Sequence, residues 1–172
     1  MDKGRNVKIM TDDEGKKLVM INDVRFKVKV RDDWKVVEEY LKEYIGEYYE
    51  IEETSDKIYI STDFPDEYAN SESRISLKGP VAKAKANAAQ AVPELIRIAV
   101  NPKHEENRKS KHKLDAAYGW YRYNIRFAIP VYDDKMKKII RHNIYSASML
   151  VRHAQDHKKY LYDILAIKKR NE

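Results

Sequence analysis

Cysteine is absent from this chain of 172 residues, and its absence excludes several kinds of chemistry. The protein has no disulfide bonds, no thiolate ligands for zinc and no thiol nucleophile. Long apolar runs are absent as well, since none approaches the roughly 18 residues of a membrane-spanning helix. The first residues contain no apolar stretch typical of a secretion signal. We therefore expect a soluble, unsecreted protein in which other side chains supply the chemistry.

Glycine is also scarce, with only five residues in the chain. No glycine-rich phosphate loop, nucleophile elbow or dinucleotide-binding fingerprint is present in the sequence. His153 and His157 have the i, i+4 spacing of a metal-binding pair on a helix, but they flank a predicted turn. The sequence therefore predicts neither a bound metal ion nor another cofactor.

Basic residues outnumber acidic ones. The 34 Lys and Arg residues and 28 Asp and Glu residues give a net charge of +6 at pH 7 and an isoelectric point near 9.2. A positive surface favours anionic partners, although charge alone does not select one class of partner. The 13 tyrosines offer rings that stack on nucleic-acid bases, although most of them must build the core.

Residues 1–74 have the pattern of a small α+β region. Two hairpins and one helix are expected there, followed by a polar stretch that contains a proline. The first hairpin joins Lys17–Ile21 to Val24–Val30, the helix covers Trp34–Ile45, and the second hairpin joins Tyr48–Ile51 to Lys57–Ser61. We interpret residues 62–73 as a linker.

Residues 75–172 have the pattern of helices followed by a sheet. An alanine-rich helix begins at Pro80, and Pro93 interrupts it. Three antiparallel strands follow, with short polar turns between them. In the first, odd-numbered residues from Tyr121 to Val131 are apolar, whereas Arg122 and Arg126 occupy even positions. Because side chains alternate across a strand, we expect one face in the core and one cationic face.

Several short segments together resemble a known nuclease group. They are Leu77–Gly79, Lys83–Asn87, Lys111–His112, Gly119–Tyr123, Arg126–Tyr132, Tyr160–Ile164 and Ile167–Lys169. In this order they are similar to the phage-associated nucleases of the barnase–EndoU–colicin–RelE superfamily, over about residues 75–169. Domains of this group occur at the C-termini of phage head-morphogenesis proteins and of polymorphic toxins.

The resemblance implies an α+β fold in which helices pack on an antiparallel sheet of about four strands. A small α/β N-terminal subdomain would precede it. On this basis residues 1–74 form the N-terminal region and residues 75–172 form the nuclease domain. The resemblance also implies cleavage of RNA without a metal ion.

Such cleavage requires removal of the 2′-hydroxyl proton, stabilisation of the phosphorane charge and protonation of the 5′ oxygen, and it leaves a 2′,3′-cyclic phosphate. We predict His112 as the acid–base group, because histidine titrates near neutral pH. Arg126 would hold the phosphate, Lys85 would add a cation, and Tyr162 would donate a hydrogen bond or a proton. Each also has an ordinary interpretation: a solvated loop histidine, a surface arginine, a solvated helix lysine and a core tyrosine.

Six further residues are predicted to contact nucleic acid. They are Lys111, Lys113, Arg122, Arg152, His153 and Lys168. His153 is also the reserve acid–base group, and Asp163 is the weaker candidate because it alternates to the face opposite Tyr162.

The predicted function is a metal-independent ribonuclease of phage or toxin type, with transfer RNA as one candidate substrate. It would act in the cytoplasm of the producing or the recipient cell. If it is a toxin, we expect an immunity protein with acidic residues that neutralises it. The alternative is a phage-encoded module that binds RNA or protein without catalysis and keeps the same fold.

Overall fold

The computed structural model describes residues 4–135 and 137–170. These residues form eight strands and five α-helices. The strands are β1 Val7–Thr11, β2 Lys17–Ile21, β3 Tyr48–Glu50, β4 Lys57–Tyr59, β5 Val100–Glu105, β6 Trp120–Tyr132, β7 Ile139–His153 and β8 Lys159–Lys169. The helices are α1 Asp33–Lys42, α2 Phe64–Asn70, α3 Glu72–Ile75, α4 Gly79–Ala88 and α5 Val92–Ile98. Within these ranges, none of the helices has the length and apolar character needed to cross a membrane.

All eight strands belong to one sheet, which curls into a half-barrel. The strand order is β1-β2-β6-β7-β8-β4-β3, and β5 pairs with the first part of β6. Strands β5, β6, β7 and β8 pair with one another in antiparallel order. By contrast, β2 runs parallel to β6 and β4 runs parallel to β8. The two N-terminal hairpins therefore extend the sheet at both of its edges.

The predicted fold, with helices on a small four-stranded antiparallel sheet after an N-terminal α/β subdomain, is wrong. An exposed strand edge presents backbone N–H and C=O groups that need partners. The edge of β6 pairs with β2 at Val19 and Phe127, and the edge of β8 pairs with β4 at Ile58 and Lys159. These pairings merge the N-terminal segment with the C-terminal sheet. The domain boundary at residue 74 stays a prediction.

The predicted alternation of β6 is present in the structure. Tyr123, Ile125 and Phe127 are buried, whereas Asn124 is exposed and Arg126 is half-buried. The alanine-rich helix and its interruption are confirmed as well, because a 3-10 turn separates α4 from α5 just before Pro93. The small side chains of α4 lie buried in the same core as the apolar residues of β6. Alanine at these positions allows a helix to approach a sheet closely.

Two local predictions for the N-terminal segment are wrong. Lys17–Ile21 pairs with Val7–Thr11 and not with Val24–Val30, which forms no strand. The buried amide of Asn87 replaces a strand partner there: it accepts a hydrogen bond from the Phe26 N–H at 3.0 Å and donates one to the Phe26 carbonyl at 2.8 Å. A side chain on a distant helix thus satisfies backbone groups that the alternating pattern had assigned to a hairpin.

The segment interpreted as a linker is also structured. Residues 62–73 contain α2, and the side chains of Phe64 and Tyr68 are completely buried. Pro65 lies in the first turn of this helix, where proline costs no intrahelical hydrogen bond. The proline therefore marks the start of a short helix.

Gly119 gives the first test of this fold. Its φ is +95°, and a Cβ atom at this position would lie 2.4 Å from the Glu105 carbonyl oxygen. Gly46 has a φ of +93° but open space around it, so Gly46→Ala measures the cost of the left-handed backbone alone. We expect Gly119→Ala to lower the unfolding free energy by about 1–3 kcal/mol more than Gly46→Ala, because only the first forces atoms into contact. Urea unfolding of both variants measures this difference, and equal losses would contradict the close packing of β5 on β6.

Candidate functional site

The ring of His112 lies among aromatic side chains where β6 and β8 begin. A 3-10 turn, Ser110–His112, ends at this residue and leaves its side chain buried. The His112 ring centroid is 5.1 Å from that of Trp120 and 5.6 Å from that of Tyr162, and both contacts are nearly perpendicular. Trp120 and Tyr162 also contact each other, at 5.0 Å. We call His112, Trp120 and Tyr162 the aromatic triad.

Asp115 orients the His112 ring. Both carboxylate oxygens of Asp115 lie 3.0 Å from His112 Nδ1. A carboxylate accepts hydrogen bonds, so Nδ1 donates to Asp115, and Nε2 is the ring nitrogen that Asp115 does not engage. Among the described residues, none makes a hydrogen bond to Nε2. This arrangement, a carboxylate on one ring nitrogen and an unpartnered second nitrogen, suits proton transfer.

The Tyr162 hydroxyl donates a hydrogen bond to the carboxylate of Glu67 on α2, at 3.0 Å. Burial raises the pKa of Tyr162 strongly, and the negative charges of Glu67, Asp63 and Asp115 raise it further. The hydroxyl therefore stays protonated throughout the physiological pH range. Tyr162 can act as a hydrogen-bond donor in this site, but not as a base.

Arg152, on β7, connects the segment after His112 to the sheet by hydrogen bonds. Arg152 is only 6% exposed, and its guanidinium donates to the Asp115 carbonyl at 2.9 Å and to both carboxylate oxygens of Asp63 at 3.2 and 3.3 Å. It also lies 4.4 Å from the centre of the Tyr160 ring. These contacts position Asp115, and through it His112, and they engage the guanidinium that was predicted to bind nucleic acid.

Lys85 lies behind this site in an ion pair with Asp163. The Lys85 Nζ is 2.8 Å from the Asp163 carboxylate, and the two side chains are 1% and 2% exposed. Burial lowers the pKa of Lys85, and burial raises the pKa of Asp163 to about 6 although Lys85 opposes the rise. Lys85 is thus shielded from any ligand at the surface.

A β-bulge brings Asp163 to this position. Leu150 pairs with Asp163 and Val151 pairs with Leu161, so Tyr162 is an extra residue in β8. Tyr162 contacts His112 and Trp120, whereas its neighbour Asp163 is buried against Lys85 on the interior side of the strand. The sequence did contain a signal for this ion pair. Asp163 is a carboxylate within an otherwise apolar strand, and such a group needs a buried partner.

Arg126 and Lys168 lie elsewhere, in a cleft of about 910 Å³ on the central strands. The Arg126 guanidinium contacts the Asp12 carboxylate at 2.8 Å. Trp120 and Arg126 are six residues apart on β6, or about 20 Å at the rise of an extended strand. The four residues predicted as catalytic therefore do not meet: His112 and Tyr162 are in contact, Lys85 is buried behind them, and Arg126 is remote.

The other predicted nucleic-acid contacts surround the triad at different distances. Lys111 and Lys113 flank His112 and are exposed. Arg122 lies next to Glu105, with 3.9 Å between the charged atoms. His153 Nε2 is 3.2 Å from the His157 carbonyl, and burial lowers the pKa of His153. No group of three His, Cys, Asp or Glu side chains in the described ranges is arranged to hold a metal ion.

The buried ion pair gives a prediction about stability. Replacement of one partner leaves the other charge buried without compensation, so we expect Lys85→Met to lower the unfolding free energy by about 3–5 kcal/mol. The double variant Lys85→Met/Asp163→Leu should recover more than half of this loss, because no buried charge remains. Lys42→Met, which removes an exposed partner of Glu39, is the control and should have a much smaller effect. Urea unfolding of the four proteins tests this, and a Lys85→Met variant as stable as the parent would contradict it.

Comparison with known proteins gives no match to this chain, whether with protein-family models, with curated proteins or with solved structures. Its function is therefore argued from the chemistry of the site.

Proposed function

We propose that the protein is a ribonuclease that cleaves RNA at the aromatic triad without a metal ion. The observation that supports this most directly is the state of His112. Asp115 holds its Nδ1, two aromatic rings fix its plane, and its Nε2 is unpartnered within the described chain. A histidine in these surroundings is a general base with a defined orientation.

The proposed reaction needs no other cofactor. His112 Nε2 takes the proton of the 2′-hydroxyl while the 2′ oxygen forms a bond to phosphorus. The bond from phosphorus to the 5′ oxygen breaks, the 5′ oxygen takes a proton from water, and the hydroxide that remains takes the proton back from His112. A 2′,3′-cyclic phosphate is left. Tyr162 donates a hydrogen bond to a phosphate oxygen, whose negative charge grows in the transition state. For this the Tyr162 hydroxyl turns from Glu67 to the substrate.

The surroundings of the triad offer contacts for a single-stranded RNA. Lys111 and Lys113 are exposed on both sides of His112 and supply positive charge for the backbone. The half-buried rings of Trp120 and Tyr162 offer faces for stacking with bases. These features favour a nucleic-acid substrate over a small uncharged one.

A non-catalytic RNA- or protein-binding module is the second candidate. One observation favours it: Asp63, Glu67 and Asp115 place three carboxylates around the triad, and they repel a phosphate. In addition, Arg126 lies about 20 Å along β6 from Trp120, too far to hold a phosphate at the triad. Under this alternative, RNA binds to the protein and stays intact.

The proposal extends to the phage or toxin type and to action in the cytoplasm. A toxin of this kind inhibits growth when it is expressed, and His112→Ala relieves the inhibition. An immunity protein with an acidic surface would neutralise the toxin by covering its cations. Equal growth with the parent and with His112→Ala favours the binding module.

Cleavage of total cellular RNA in the presence of EDTA tests the function directly. We expect the parent protein to produce fragments with 2′,3′-cyclic phosphate ends, and His112→Ala to slow cleavage by about 10²- to 10⁴-fold, the usual contribution of a general acid–base group. Tyr162→Phe should slow it by about 10²-fold or more, because one hydrogen bond to the transition state is lost. Melting curves of each variant exclude unfolding as the cause.

His142→Ala is the matched control. His142 is a half-buried histidine with one ring nitrogen bonded to Asn22, and it lies about 30 Å along β7 from Arg152. This variant should cleave at the parental rate. Intact RNA in every reaction, together with retained RNA binding, would contradict the ribonuclease proposal and support the binding module. Equal cleavage by His112→Ala and the parent would remove the triad from the mechanism.

A further inference from the structure

The cleft that contains Arg126 is strongly cationic. The turn between β1 and β2, the junction of α5 with β5, and the middle of β6, β7 and β8 enclose about 910 Å³. Its lining carries six basic side chains and two acidic ones, Glu52 and Glu53. The basic residues are Lys16, Lys17, Arg97, Arg126, Lys168 and Arg170. We call this feature the basic cleft.

Three of these six cations have no partner among the described residues. The other three form ion pairs: Lys16 with Glu14, Lys17 with Glu52 and Arg126 with Asp12. Arg97, Lys168 and Arg170 are exposed and form no ion pair or side-chain hydrogen bond with any other described residue. A concave surface that gathers unpaired charges of one sign focuses the electric potential into the cleft. The basic cleft is therefore suited to an anion that brings several negative charges.

The floor of the cleft supplies neutral hydrogen-bond donors. In the strand register, Asn124 on β6 lies opposite Ser148 on β7, and Arg126 lies opposite Ser146. Ser146 in turn lies opposite Lys168 on β8. The hydroxyl of Ser146 therefore has a guanidinium on one neighbouring strand and an ammonium group on the other. Hydroxyl, amide and guanidinium groups are the donors that bind phosphate oxygens in proteins.

Two β-bulges shape the walls of the cleft. Asn101 and Ala166 both line it, and both have positive φ, +56° and +53°. Asn101 lies at the register shift between Val100 and Lys103, and Ala166 lies at the register shift opposite Ser146 and Ser148. A left-handed backbone is costly for alanine, and such conformations and bulges concentrate at functional sites, where they redirect side chains. The bulge at Ala166 sets Lys168 beside Ser146.

We propose that the basic cleft binds the phosphodiester backbone of a single-stranded nucleic acid. The cleft has the volume of a small-molecule site, so it accepts one or two nucleotides of a strand. This inference goes beyond the ribonuclease proposal, because Arg126 in the cleft lies about 20 Å along β6 from Trp120 of the triad, and the described lining residues include no histidine. Binding there does not require that the protein cleaves RNA.

Fluorescence anisotropy with a labelled single-stranded RNA of roughly 12 nucleotides tests the inference. All proteins carry His112→Ala so that the RNA stays intact, and salt is varied between about 50 and 200 mM. We expect the double variant Arg97→Ala/Lys168→Ala to bind at least 10-fold more weakly at the middle of this range. The slope of log affinity against log salt should fall by about 1.4, because a single strand loses about 0.7 for each phosphate contact removed.

Lys35→Ala/Lys42→Ala is the control, since it removes the same charge from the exposed face of α1. An unchanged affinity for this control, with the loss confined to the cleft variant, supports the site. Equal effects of the two double variants overturn it. Displacement of the RNA by an equal concentration of a mononucleotide would show a nucleotide pocket in place of a strand-binding cleft, and also overturns the inference. Because binding is read without cleavage, failure of the ribonuclease proposal leaves this result unaffected.

Discussion

Backbone hydrogen bonding between β6 and β7 is the constraint on which the rest of the structure depends. The two strands pair from Trp120 to Tyr132 in an almost continuous antiparallel ladder. One end of β6 carries Trp120 of the aromatic triad, and its middle carries Arg126 of the basic cleft. The outer edges of β6 and β8 receive the two N-terminal hairpins. The ladder therefore sets both the size of the sheet and the separation of its two polar sites.

Charged and polar groups near Tyr162 find partners in two different ways. Behind the strand, the buried pair of Lys85 and Asp163 is compensated internally, and desolvation opposes the charged form of each group. In front, the hydroxyl of Tyr162, the ring of His112 and the guanidinium of Arg152 each meet a carboxylate. The site is thus built from paired groups, and His112 Nε2 differs from them in having no described partner. By contrast, the basic cleft contains cations that have no partner among the described residues, so unpaired positive charge and the ring of His112 lie at separate places on the sheet.

Local sequence patterns predicted the elements whose formation depends on near neighbours. The helix from Trp34, the proline interruption at Pro93 and the three C-terminal strands are all present. The patterns failed where a distant group satisfied the backbone. The alternating residues around Phe26 form no strand because the amide of Asn87 bonds both backbone groups of Phe26. In residues 62–73, polar composition concealed a helix whose Phe64 and Tyr68 are buried in the shared core.

The sequence by itself determined the basic charge, the lack of thiol chemistry and the alternation of β6, because composition and local periodicity are properties of neighbouring residues. Tertiary structure alone decided that the rings of His112 and Tyr162 touch, that Arg126 lies about 20 Å along β6 from Trp120, and that Lys85 is buried against Asp163. The physical reason is that bulges, strand register and parallel edge pairing are set by backbone partners far away in the chain. Residue spacing along the sequence therefore does not predict the bulges, the register or the edge pairing.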